Sequence, residues 1–168
     1  MKRSAIVAFV LAMFTARIPF AAGAKAGHEG AIDHFAVIVH PSTSVGDVSI
    51  AQLRRVFLGE QQFWPGGSRV VLFIHEPGSG SRSVVLRQLY QMNEGEFRRY
   101  WIAKTFRDDV TTGPKIVSST ALAKRLTATI PGAIAVIPAD AVDGTVKVLR
   151  VDSRLPREDA YPLASTSR

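Results

Sequence analysis

Val70-Val71-Leu72-Phe73-Ile74-His75-Glu76-Pro77-Gly78-Ser79-Gly80-Ser81-Arg82 decides the fold. An apolar run of strand length ends in a turn rich in glycine and serine. Val85, Leu89 and Met92 then follow at i, i+4 and i+7, the spacing of one helix face. The stretch therefore predicts a strand, a glycine turn and the first turn of a helix. The first backbone N–H groups of a helix have no internal partner, and the helix dipole places partial positive charge there. Gly78 and Gly80 let the backbone turn and come close to a ligand, Ser79 and Ser81 add hydroxyls, and His75 and Arg82 can add charge. These parts suit phosphate or another oxyanion. They equally suit a plain helix start, with Ser79 or Ser81 as the cap and the glycines serving only the turn. A Walker A loop is excluded because Ser81-Arg82 stands where Lys-Ser/Thr is needed. The dinucleotide fingerprint lacks its third glycine, and Gly78-Ser79-Gly80 is not a nucleophile elbow.

Working outward, 168 residues suit one domain, and 46% hydrophobic residues suffice for a core. The absence of cysteine excludes disulfides, cysteine-based metal sites and a cysteine nucleophile. At the N-terminus, Lys2 and Arg3 precede an apolar stretch from Ala5 to Ala16, and Ala22-Gly23-Ala24 fits a cleavage pattern. The expectation is a signal peptide over 1–24, cleaved after Ala24, and a periplasmic protein. That segment holds three of the 21 basic residues, which leaves 18 against 14 acidic residues, a net charge of +4. A mild positive excess suits an anionic ligand. No basic run interleaved with aromatics points to nucleic acid.

Along the remaining chain, Phe35-Ala36-Val37-Ile38-Val39 reads as a buried strand, and Ser49 to Gln52 as a capping box opening a helix that stops at Gly59. Asn93 to Glu96 opens another helix, which carries Phe97, Tyr100, Trp101 and Phe106. Lys115 to Ser118 is a short strand. Ser119 caps a helix with Leu122, Leu126 and Ile130 on its face, and Ala133 to Ile137 is a buried strand. Thr145 to Val151 alternates as one half-exposed strand. Residues 25–152 form the expected domain, and 153–168, rich in charge, proline and serine, a flexible tail. The alternation of strands and helices predicts an α/β fold with a mixed or largely parallel sheet flanked by helices. In such sheets ligands bind beyond the carboxyl ends of the strands.

Three blocks in order resemble the phosphate-binding proteins of ABC transporters, within the type II periplasmic-binding-protein class. Phe35 to Val39 followed by Ser49 to Gly59, with Val56-Phe57-Leu58-Gly59 and Trp64, is similar to the family's strand, helix and "(I/Y)FLGK…W" segment. His75 to Ser81 is similar to its "R-x-x-G-S-G-T" phosphate loop, and Pro131-Gly132-Ala133-Ile134 to its "PGAIGY" junction. His75 replaces the loop arginine, Ser81 the threonine, and Ala135-Val136 the junction Gly-Tyr. The full proteins close two lobes on the ligand, and this chain matches only the second. The resemblance implies a single periplasmic-binding-protein-like lobe that binds phosphate or a similar oxyanion through His75, Gly78, Ser79, Gly80, Ser81 and Arg82. It also implies a transporter or sensor partner in the membrane. A homodimer would bring two open lobes together.

The remaining candidates are thin. His28, His34 and His40 recur every six residues, but no third ligand or supporting shell is evident, so no metal is expected. Asp108-Asp109, Glu94 and Glu96 read as helix-end or loop charges. No Ser-His-Asp set emerges from spacing, so the expectation is a binding protein without a cofactor, not an enzyme. The alternative is a sensor or interaction module that keeps the lobe without high-affinity capture.

Overall fold

The computed structural model describes residues 32–107 and 113–166. The signal peptide expected over 1–24, His28 and the Asp108-Asp109 pair lie outside the described residues. β1 (Ile32–Val39), β3 (Val71–His75) and β5 (Ala133–Pro138) are the three continuous apolar runs, and they lie in one sheet as expected. With β4 (Lys115–Val117) and β6 (Lys147–Val148) the order is β4-β3-β5-β1-β6. β3 runs parallel to β4 and β5, whereas β1 runs antiparallel to β5, so the sheet is mixed. β3 begins one residue later than its apolar run because the Val70 N–H donates to Gln62 O outside the ladder.

Alternation along the strands divides the core into two layers. Phe35, Val37, Val39, Ile74, Ile134 and Val136 face one layer, and Ala36, Ile38, Phe73, Ala133, Ala135 and Ile137 the other. On the first face pack α1 (Ile50–Phe57), α2 (Gly80–Val84), a π-helical turn continuing it (Val85–Tyr90) and α3 (Glu94–Phe106). Both capping boxes form: Ser49 Oγ accepts from Gln52 N, and Asn93 Oδ1 from Glu96 N, with each glutamine or glutamate reaching back. α1 buries Leu53, Val56 and Phe57, each worth about 1.5–3 kcal/mol on full burial. It stops at Leu58 because Gly59 takes φ 67°, a left-handed conformation that glycine adopts without strain. On α3, Phe97 and Trp101 are buried and Tyr100 is half-buried, while Phe106 is exposed.

α4 (Thr120–Thr129) covers the other face. Ala123 and Thr127, rather than Leu122 and Leu126, are its fully buried residues. Small side chains let the helix lie close on the sheet, and the leucines flank the contact.

Two sequence expectations are corrected. Thr145 to Val151 is not one strand: β6 pairs with β1, whereas β7 (Arg150–Val151) pairs with β2 (Asp47–Val48) in a separate two-stranded sheet. Residues 153–166 are not a loose tail. β8 (Ala164–Thr166) pairs with the start of β1, the Phe35 N–H donates to Leu163 O, and Tyr161 and Leu163 enter the core. Two large apolar side chains plus ladder hydrogen bonds outweigh a polar composition, so the lobe extends to at least Thr166.

Candidate functional site

α2 and α4 follow β3 and β4 directly, so both helices start at the carboxyl ends of parallel strands. A cleft of about 470 Å³ opens there. It is lined by His75, Ser79, Gly80 and Ser81 from the glycine turn and by Thr120 from the start of α4. Asp33, His34 and Phe35 of β1, the Pro138–Asp140 corner and Arg157 complete it.

The Ser79 hydroxyl caps α2, accepting from Arg82 N at 3.2 Å and donating to Glu76 O at 3.1 Å. Ser119 caps α4 in the same way, accepting from Leu122 N at 3.2 Å. Caps of this kind satisfy the third N–H, and the first two remain open to a ligand. Ser81 is buried, and among the described residues its hydroxyl has no hydrogen-bond partner. His75 is only 5% exposed, and its Nε2 has no partner. The Nδ1 of His34 is likewise buried and unpartnered. An unsatisfied buried polar atom costs about 1–3 kcal/mol; among the described residues Thr43, Trp101, Thr127 and Tyr161, outside the cleft, also carry one. Burial pushes the His75 imidazole below its ordinary value of 6.5, so it is neutral at neutral pH and can donate or accept according to tautomer.

Arg82 does not play the part expected of it. It is 4% exposed, and its Nε and Nη2 donate to the two Glu94 carboxylate oxygens at 3.0 and 2.7 Å. Its guanidinium lies 4.2 Å from the Phe97 ring centroid and reaches back to His75 O at 3.5 Å. Hydrogen bonding from Arg82 holds the Glu94 carboxyl below its ordinary value. Arg82 thus locks the turn to α3 from beneath and offers no charge to the cleft. Gly78 also lies outside the cleft lining. Its φ of 91° serves the turn, and it borders a shallow surface groove with Ser83 and Arg87.

His75, Ser79, Gly80 and Ser81 therefore line one cleft, and Gly78 and Arg82 are set apart from it. Thr120, His34 and Arg157 were not foreseen. A helix cap at Ser119 following a short strand was the available signal for Thr120. Arg157 was hidden by its place in a segment read as a tail. His40, at the far end of β1 from His34, bonds Ser42 Oγ at 2.7 Å. Among the described residues no three acidic or histidine side chains form a metal-binding group.

The described residues thus form a mixed sheet flanked by helices, with a polar cleft at the carboxyl ends of its parallel strands. No family model and no curated protein matches the chain. Among solved structures, it is similar to an ABC-type phosphate transport receptor from Vibrio cholerae. The TM-score is 0.66 and the identity 20%, over 81% of this chain and 55% of that one. It is also similar to a protein from Clostridium perfringens described as a phosphate ABC transporter substrate-binding protein and solved with bound phosphate. There the TM-score is 0.64 and the identity 22%, over 81% and 54%. PstS from Borrelia burgdorferi aligns with TM-score 0.64 and identity 18%, over 82% and 56%. At these identities the likeness is one of fold, and the chain spans little more than half the length of each of these structures.

Proposed function

We propose that this chain binds phosphate or a similar oxyanion in the cleft at the start of α2, as a substrate-binding-type lobe exported to the periplasm. The observation that carries the reading is the buried, unpartnered His75 Nε2 in one cleft with the Ser81 hydroxyl and the starts of two helices. An oxyanion has enough acceptor lone pairs to engage the open N–H groups and hydroxyls together, and each charge-assisted bond is worth roughly 1.5–3 kcal/mol net. The solved neighbours carry phosphate transport in their descriptions, which supports this ligand class. Among the described residues no helix is long and apolar enough to cross a membrane, and export rests on the Lys2 to Ala24 pattern.

Asp33 and Asp140 stand exposed at the rim and oppose a second negative charge, and the cleft is open to water, so affinity is modest and weakens with salt. Coverage of little more than half of each matched structure favours one alternative, a sensor or interaction module that keeps the fold without tight capture. Calorimetric titration of the full chain with phosphate and with sulfate tests the proposal. One-site binding that is weakened by Ser81→Ala supports it. Gly80→Val should weaken binding too, since a side chain there meets the Phe35 ring that lines the cleft, at 3.3 Å already from Cβ. No heat with either anion, or binding indifferent to both substitutions, overturns it.

A further inference from the structure

With Arg82 held by Glu94 and His75 neutral, the glycine turn itself brings no formal charge to the cleft. The C-terminal segment does. Leu155, Pro156, Arg157 and Glu158 form a tight turn closed from both sides: Glu158 N donates to Leu155 O at 3.2 Å, and Leu155 N donates to Glu158 Oε2 at 2.7 Å. Proline second and a positive φ of 76° third are the features of a type II turn, whose third position favours glycine. Here that position holds an arginine, at a conformational cost on the order of 1 kcal/mol or more. Arg157 lines the cleft with His75 and Ser81 and is exposed. Among the described residues it makes no ion pair or hydrogen bond, not even with Asp33 or Asp140, which line the same cleft. Tyr161 and Leu163, buried in the core, and β8, paired to β1, fix the turn in place.

We propose that Arg157 supplies the positive charge that holds an oxyanion in this cleft, a role that rests on the anion-binding reading above. A guanidinium offers five donors in a fixed fork suited to tetrahedral oxyanions. The C-terminal strap thus closes over one side of a ligand that the glycine turn holds from the other.

Glycine relieves the left-handed backbone while deleting the charge, so Arg157→Gly separates the two roles. The full chain, R157G and R157K are titrated with inorganic phosphate and with sulfate, and each is melted. The expected result is binding about tenfold weaker in R157G, at an unchanged or higher melting temperature, with much of the affinity kept in R157K. If the wild type binds and R157G binds equally well, the role of Arg157 is refuted and the anion site stands. If R157G loses affinity and melting temperature together and R157K loses as much, Arg157 is structural and the proposal fails. If the wild type binds neither anion, the anion-binding reading itself fails and takes this role with it.

Discussion

The two ends of the β3 strand are built to opposite rules. At its start most polar groups are paired, with the buried Trp101 Nε1 as the exception. Gly132 O accepts from Trp64 Nε1 at 2.9 Å and from Val71 N at 3.1 Å. At the neighbouring end of α1, Phe57 O accepts from the Tyr90 hydroxyl, and Leu58 O accepts from the Tyr100 hydroxyl and Lys104 Nζ, all at 2.7 Å. The lysine there also meets the negative end of the helix dipole. At the other end of β3, His75 Nε2, His34 Nδ1, the Ser81 hydroxyl and the Arg157 guanidinium have no partners among the described residues. The same sheet thus has mostly paired polar groups at one end and a cleft with two unpartnered histidine nitrogens at the other. Substitutions should divide accordingly.

The largest effect is expected at Gly132. Its φ is 79°, and a Cβ there would lie 2.0 Å from Arg69 O, so backbone must move. Gly132→Ala should lower stability by about 3 kcal/mol or more, measured by urea unfolding, and leave anion affinity of the folded fraction unchanged. An equally stable variant would break the contrast between the two ends.

Glu94 borders the surface groove beside Gly78 and is engaged in structure through Arg82. Glu94→Gln leaves the Arg82 charge buried with a weaker partner. Because Glu94 is 43% exposed, the loss should be about 1–2 kcal/mol rather than the larger cost of a fully buried pair. The folded-state pKa of Glu94 is depressed, so its contribution is fully present above its ordinary value of 4.5 and fades as pH falls through the lower folded value. Acid unfolding curves should therefore converge for wild type and variant below that window. Parallel curves down to the lowest pH would show that the pair contributes nothing.

Ser81→Ala is expected to weaken anion binding by about 1 kcal/mol, roughly fivefold, with stability changed by less than about 0.5 kcal/mol because no protein partner is lost. The smallest effect is in pH. Neutral when the cleft is empty, His75 gains a proton more readily beside a bound anion, so sulfate affinity should rise gently as pH falls below 6.5. Sulfate does not titrate in this range. A flat profile, or one that rises towards high pH, would remove His75 as a charge partner.

How much of this could be read in the sequence follows from the range of the interactions. β1, β3 and β5 are legible because about five consecutive apolar residues bounded by polar loops suit a strand covered on both faces. Ser49-Gln52 and Asn93-Glu96 are legible because a capping box is complete within four residues. The fate of Arg82 is not, since it is settled by Glu94, 12 positions away, and by the Phe97 ring. The strap is not either: Tyr161 and Leu163 are isolated apolar residues whose burial depends on β1, more than 120 positions earlier in the sequence. The π-helical turn at Val85–Tyr90 followed by Gln91 at φ 55° leaves the apolar spacing intact, so periodicity alone reports an ordinary helix.

The pairing of β8 with β1 has a topological consequence. Ile32 stands opposite Thr166, so the first and last described residues are neighbours across a single ladder, about 5 Å apart as in any strand pair. The fold is in effect a ring, and its seam runs beside Asp33 at the mouth of the cleft. A polypeptide rejoined across that seam by a short linker and opened at the exposed Gly66-Gly67 tip has the same neighbours in every strand of the sheet. That seam keeps the start of β1 and the end of β8 within reach of the cleft.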